Sequence, residues 1–326
     1  MQRRQFVTLL GGAAAAWPFT VRAQQRPARV LRVGVPGTSP KSIYFWAAFE
    51  QRMRELGYVE GQNFALEYLD LGDQTDRFEE AVRELVRRGV DVIIVGGEEP
   101  TLKGAITATN VLPIVMVAIG YDPVLLGYVS SIARPIGNVT GFYLRRPELV
   151  EKQVEILAGS FPEKTRLGVL WDNHTADIFS VAHRAAAALH LEIRSHKLAN
   201  PPYDFVAAMH NLAQAGAEAV LVLSSVYFNR DRPHLAALAL QHGFPSMFFS
   251  KAYVEAGGLM SYGPNLAVMY QRVAEYVDRI ARGARPSDLP IEQPNKFEMI
   301  VNLKTARALG LTLPPSLLVR ADEVIE

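Results

Sequence analysis

The chain alternates short apolar runs with longer stretches whose apolar residues recur at helical spacing. Residues 30–36 are a β-branched apolar run closed by Gly37-Thr38-Ser39-Pro40. Such a run predicts a strand buried on both faces, followed by a loop. Helical spacing then holds over 43–56, and Gly57 stands where a helix C-terminus favours glycine. The unit recurs: strand 64–68, helix 76–88 before Gly89, and strand 90–95 before Gly96-Gly97-Glu98-Glu99-Pro100. A helix to about 110 and a strand at 113–117 complete the series. This β-α-β-α order with apolar strands predicts an α/β fold with a parallel, doubly wound sheet. Such sheets bind ligands beyond the C-terminal ends of their strands.

Asp122-Pro123 reads as a capped turn or short helix, closed by Pro135, Gly137 and Asn138. Residues 139–142 then read as an extended piece leaving the first sheet. After a helix at 148–158 the rhythm restarts: strand 166–171, helix 178–189, strand 192–198, and a turn at 201–204 capping a helix to 215. Strand 219–223, helix 233–242 and strand 245–249 follow. Gly257-Gly258, a short strand and Gly263-Pro264 mark a second passage between lobes. Helix 268–282 packs back on the first lobe, and strand 297–302 makes a third passage. Helix 303–309 and a last helical or turn segment after Pro314-Pro315 end the chain. The expectation is two doubly wound parallel-sheet lobes joined by three crossings. Residues 24–141 with about 264–296 form the first lobe, and 142–263 with about 297–326 the second. Hinge positions fall at Gly141, Phe142, Ser261 and Phe297, and three linkers permit closure over a cleft.

Charge and composition narrow the class. Hydrophobic residues make up 49% of the 326 and charged residues 21%, which describes a chain with a sizeable core. The formal charge of +1 and the lack of any basic block argue against nucleic acid as a partner. There is no cysteine, which removes disulfides, thiolate metal sites, cysteine nucleophiles and a lipid-modified cysteine. The start is distinctive: Arg3-Arg4-Gln5-Phe6, an apolar run from 6 to 17 rich in glycine and alanine, and Val21-Arg22-Ala23. Together these read as a bacterial signal peptide of twin-arginine type (1–23), cleaved after Ala23. Cleavage removes three arginines and no acid and turns the formal +1 into −2. The expected mature protein is periplasmic and has no membrane insertion of its own.

The stretch 122–142 resembles the corresponding segment of the substrate-binding proteins of bacterial ABC transporters. Further matches are Glu55-Leu56-Gly57-Tyr58-Val59-Glu60-Gly61, the run Glu255 to Asn265, and Lys304-Thr305-Ala306 with its sequel. The family includes receptors for aromatic amino acids such as tryptophan. The resemblance implies a fold like type I periplasmic binding proteins, a small-molecule ligand between the lobes, and a membrane permease as partner. Strand-end loops then supply the ligand-binding candidates: Thr38, Ser39, Glu98, Tyr121 and Asp122 on the first lobe. Asn173, Ser225, Tyr227 and Phe228 follow on the second, with Tyr262 at a crossing. The family usually carries Asp-Pro before its aromatic pair, where this chain has Ser225-Val226. Acidic, hydroxyl and aromatic candidates together favour a zwitterionic amino acid or a flat nitrogenous compound; a sugar also suits aromatic platforms.

Chemistry other than binding finds little support. The phosphate loop G-x-x-x-x-G-K-[ST], the dinucleotide spacing G-x-G-x-x-G and the nucleophile elbow G-x-S-x-G are missing. Seven scattered histidines show no metal-ligand spacing. No catalytic residue, metal or cofactor is therefore assigned, and the expected role is delivery of a captured solute to an importer. A periplasmic sensor subunit or an enzyme using the same cleft are the alternatives.

Overall fold

The computed structural model describes residues 30–326, apart from 39, 73, 98 and 295 and the side chains of 75 and 226. The expected leader, Ser39 and Glu98 lie outside the described residues. The first elements are β1 (Leu31–Gly37), α1 (Tyr44–Glu55), β2 (Phe64–Asp70), α2 (Phe78–Arg87), β3 (Val92–Gly97), α3 (Glu99–Ala108), β4 (Ile114–Ile119) and β5 (Val139–Leu144). These strands form one parallel sheet in the order β2-β1-β3-β4-β5. Successive strand residues face opposite sides. Val92 and Ile94 of β3 therefore pack toward α1, while Ile93 and Val95 pack toward α2 and α3. All four are at most 1% exposed, and burying each contributes about 1.5–3 kcal/mol. Helices on both faces explain why this strand is apolar at every position.

The second sheet is built from β6 (Arg166–Asp172), β7 (Glu192–Leu198), β8 (Ala219–Val222), β9 (Ser246–Phe248), β10 (Met260–Pro264), β11 (Phe297–Asn302) and β12 (Glu323–Ile325). Its order is β12-β11-β10-β9-β8-β6-β7, and only the pairing of β10 with β11 is antiparallel among these strands. The helices here are α4 (Pro147–Ser160), α5 (Ala176–Ala188), α6 (Phe205–Gln214), α7 (Val226–Arg230), α8 (Arg232–Gln241) and α9 (Lys251–Glu255). Further on come α10 (Leu266–Ala281), α11 (Leu303–Ala308) and α12 (Pro315–Arg320). Helices α4 and α5 cover one face, and α6 and α8 the other. Helix α10 leaves the second sheet and packs Met269, Tyr270, Val273 and Val277 with Phe45, Phe49 and Met53 of α1. The two mostly parallel sheets with flanking helices agree with the doubly wound α/β expectation.

The chain passes between sheets three times: from β5 to α4, from β10 to α10, and from Glu292 to β11. Of the expected hinge positions, Phe297 stands at the end of the third passage, while Gly141, Phe142 and Ser261 lie inside strands. Gly141 and Phe142 lie inside β5, paired with Met116 and Val117, and the first sheet runs on to Leu144. Gly141 has φ +132°, and a Cβ there would stand 2.1 Å from the Met116 carbonyl. The glycine thus serves close strand packing and does not mark the ladder's end. Ser261 lies within β10, paired with Phe248 and Ile300, while Phe297 begins β11 opposite Pro264. The last segment adds a short strand, β12, beyond the expected helix.

Candidate functional site

The C-terminal ends of β1, β3, β4, β8 and β9 face one another across a cavity of about 800 Å³, part of it open to solvent. Its first-lobe wall is aromatic. Phe45 and Trp46 come from the first turn of α1, Tyr68 from near the end of β2, and Tyr270 from α10. The Phe45 and Tyr270 ring centroids are 4.4 Å apart, Trp46 and Tyr270 4.9 Å, and Trp46 and Tyr68 5.6 Å. Two glycines admit the phenols. A Cβ on Gly37 would meet the Tyr68 Oη at 2.0 Å, and one on Gly96 would meet the Tyr270 Oη at 3.0 Å. Burial pushes both phenols well above their ordinary range, helped at Tyr68 by the Asp70 carboxylate and at Tyr270 by Tyr68. Both stay neutral and keep a hydroxyl proton at any physiological pH.

The opposite wall is polar. Ser224 and Ser225 follow β8, Asn229 belongs to α7, and Ser250 follows β9; Phe249 and, from α9, Tyr253 line the cavity beside them. Ser225 is fixed from below by Asp172, a fully buried carboxylate at the end of β6. Asp172 Oδ2 accepts from the Ser225 and Tyr203 hydroxyls, and Oδ1 from the His174 amide and the Thr175 hydroxyl. With four donors the buried charge is fully solvated by protein. Next to it Arg146, 2% exposed, spans the base of the cleft. Its guanidinium donates to the Ser224 carbonyl (2.7 Å) in the second lobe and to the Gly120 carbonyl (3.2 Å) in the first. Gly120, at φ +85°, leaves the space the guanidinium occupies; a Cβ would lie 2.0 Å from it. Arg230 of α7 bonds the Thr38 carbonyl and Asp70 across the cleft, so the lobes touch.

The structure brings Thr38 and Ser225 to the cavity. It places the other described candidates elsewhere. Tyr121 packs under α3 with Tyr128, their centroids 6.5 Å apart. Asp122 Oδ1 accepts from the amides of Val124 and Leu125 and caps the turn. The Asn173 side chain is exposed and donates to the Ala199 carbonyl. Phe228 is fully buried against Tyr203 and Phe205, a core residue. Tyr227 sits beside His174, 5.2 Å away, and Tyr203. Tyr262 stacks on Phe297 at a second opening among the three crossings, with Tyr143 and Arg145. The physical reason is local: 226–230 is a helical turn, and the residue it shows to the cavity is Asn229. Sequence reasoning missed Phe45, Trp46, Tyr68 and Tyr270. The signal available was Tyr44-Phe45-Trp46, an aromatic run at the start of the helix after the first strand loop.

Among the described residues no three His, Asp or Glu side chains gather as a metal site requires, and no helix is long and apolar enough to cross a membrane. Known proteins give the arrangement a context. A "Tyrosine-binding protein" of Clostridioides difficile (strain R20291) is 21% identical over 271 residues, covering 81% of this chain and 75% of that one. A conserved domain protein from Vibrio cholerae has a similar structure, with TM-score 0.80 and 23% identity, over 91% of this chain and 99% of that one. An ABC domain from Streptococcus pneumonia solved with L-Trp gives TM-score 0.79 and 22% identity, over 91% of this chain and all of that one. The model of the ABC transporter substrate binding protein family matches residues 43–325, almost the whole described chain, and the protein belongs to that family.

Proposed function

We propose that this protein is an extracytoplasmic receptor that closes on a flat aromatic amino acid, or a flat nitrogenous compound of similar size, and delivers it to an ABC importer. The observation that carries the reading is the pairing of an aromatic wall with a wall of hydroxyls and an amide. Phe45, Trp46, Tyr68 and Tyr270 offer faces and edges to a ring; Thr38, Ser224, Ser225, Asn229 and Ser250 offer donors and acceptors to its polar end. Binding needs no bond to break. A ligand that touches both walls favours the closed form by its differential affinity, and the permease then reads the closed surface. The relatives with tyrosine and tryptophan in their descriptions support the aromatic choice. The paired arginines and apolar run at the start support export to the periplasm before the receptor works there.

The test is a thermal melt against amino acids, purines, aromatic acids and sugars. An aromatic amino acid or purine at a hundredfold excess over its Kd raises stability by about 2.7 kcal/mol. A shift produced by sugars alone, or by no compound in these classes, contradicts the proposal. Turnover of the bound compound contradicts the receptor role.

A further inference from the structure

Arg230 stands at the end of α7, directly after Asn229 on the second-lobe wall. Its Nη2 crosses to the first lobe and donates to the Thr38 carbonyl at 2.7 Å and to Asp70 Oδ1 at 2.6 Å. Both acceptors sit at strand ends, Thr38 after β1 and Asp70 closing β2. Asp70 is itself fixed, since the same oxygen accepts from the Gly72 amide at 3.0 Å, in a turn where Gly72 has φ +57°. The position matters more than the bond count. Arg146 also joins the lobes, but it lies two residues beyond β5, at a crossing, where rotation displaces atoms least. Arg230 bonds across the cleft, away from the crossings.

We propose that Arg230, with Asp70 and the Thr38 carbonyl, is an interlobe latch that holds the cleft closed through protein groups alone. Closure is then populated ahead of the ligand, and release of a ligand waits on the latch. Arg230 acts here as a positioning residue: it sets how long the two walls stay together and leaves their chemistry unchanged. A partly exposed ion pair combined with one hydrogen bond to a carbonyl biases the open-to-closed ratio by roughly fivefold. The pair is accessible enough to be screened, so salt should weaken it. The inference does not depend on which compound is bound.

The experiment is small-angle X-ray scattering on protein unfolded, dialysed and refolded to strip any carried ligand. The wild-type profile should match the closed structure. Arg230→Gln should give a larger radius of gyration, and Asp70→Asn a smaller change in the same direction, because the Thr38 bond remains. The paired exchange Arg230→Asp with Asp70→Arg should recover part of the closed population, which a merely structural role for either residue would not produce. Should Arg230→Gln fail to fold, Asp70→Asn and the exchange carry the test. A wild-type protein already open, or an Arg230→Gln profile that superimposes on wild type, overturns the latch. Failure of every aromatic probe in the thermal melt would remove the ligand proposal and leave this result standing.

Discussion

Gly37 and Gly96 act at the site by what they lack. Each leaves room for a phenol hydroxyl, and an added methyl at Gly37 would stand 2.0 Å from the Tyr68 oxygen. Gly37→Ala should therefore drive the Tyr68 ring from its seat, lowering stability by about 1–3 kcal/mol and weakening ligand binding at least tenfold. Calorimetric titration and melting would check it; wild-type affinity in the variant would show that the seat is unimportant. Glu298 on β11 is the carboxyl with the clearest pH signature. Burial pushes it up to about 7, with Glu323 and Asp322 adding to the rise, while Lys251 and the Asn265 hydrogen bond oppose it. The native state holds this proton more tightly than the unfolded chain does. Stability from this group is thus greatest below about pH 4.5 and declines as pH rises to about 7. Discounted for a half-exposed group, the change is on the order of 1 kcal/mol. Glu298→Gln should flatten that decline in chemical denaturation at a series of pH values, and an unchanged slope would refute the assignment. Single residues were the least legible scale in the sequence. Tyr227 and Phe228 looked alike as aromatic strand-end residues, yet a helical turn places one beside His174 and buries the other in the core.

At the scale of elements, α10 ties the lobes together. It starts one residue after β10 and lays its apolar face on α1. Asn265 does two jobs at that junction. Its Oδ1 accepts from the Val268 amide and caps the helix, and its Nδ2 donates to Glu298 on β11. Asn265→Ala should cost about 1–2 kcal/mol through the lost cap. It should also move the Glu298 carboxyl upward, since the hydrogen bond lowers it now. A pH titration of stability in the variant measures both effects, and a pH profile identical to wild type would contradict the coupling. Long elements were legible because burial imposes a period that the residues repeat. β3 is apolar at every strand position, and α10 keeps helical spacing over 16 residues. The elements that escaped notice are short. α7 and α9 span 5 residues each and β12 spans 3, too few to establish any period. The first crossing was set early for a related cause: a glycine such as Gly141 marks unusual backbone, whereas the passage begins where hydrogen bonding to β4 stops.

The whole molecule was readable as two α/β layers because the β-α rhythm stops after β5 and starts again at β6. What the rhythm does not record is which side of each loop faces inward. That depends on how the two sheets are turned toward each other by three separate passages. The aromatic wall illustrates this. Phe45 and Trp46 come from α1 and Tyr270 from α10, more than 200 positions later, and no local pattern joins them. They pack as one surface within the first lobe and face Ser224 and Asn229 across the cleft, which Arg146 bridges at the base and Arg230 bridges farther out. The central claim is that this surface takes a flat aromatic ligand. Isothermal titration of L-tryptophan and L-tyrosine into wild type and Trp46→Ala tests it most directly. The account predicts saturable one-site binding of at least one of them to wild type, with affinity lower by tenfold or more in the folded variant. Undiminished affinity in Trp46→Ala, or no binding of either amino acid to wild type, would contradict it.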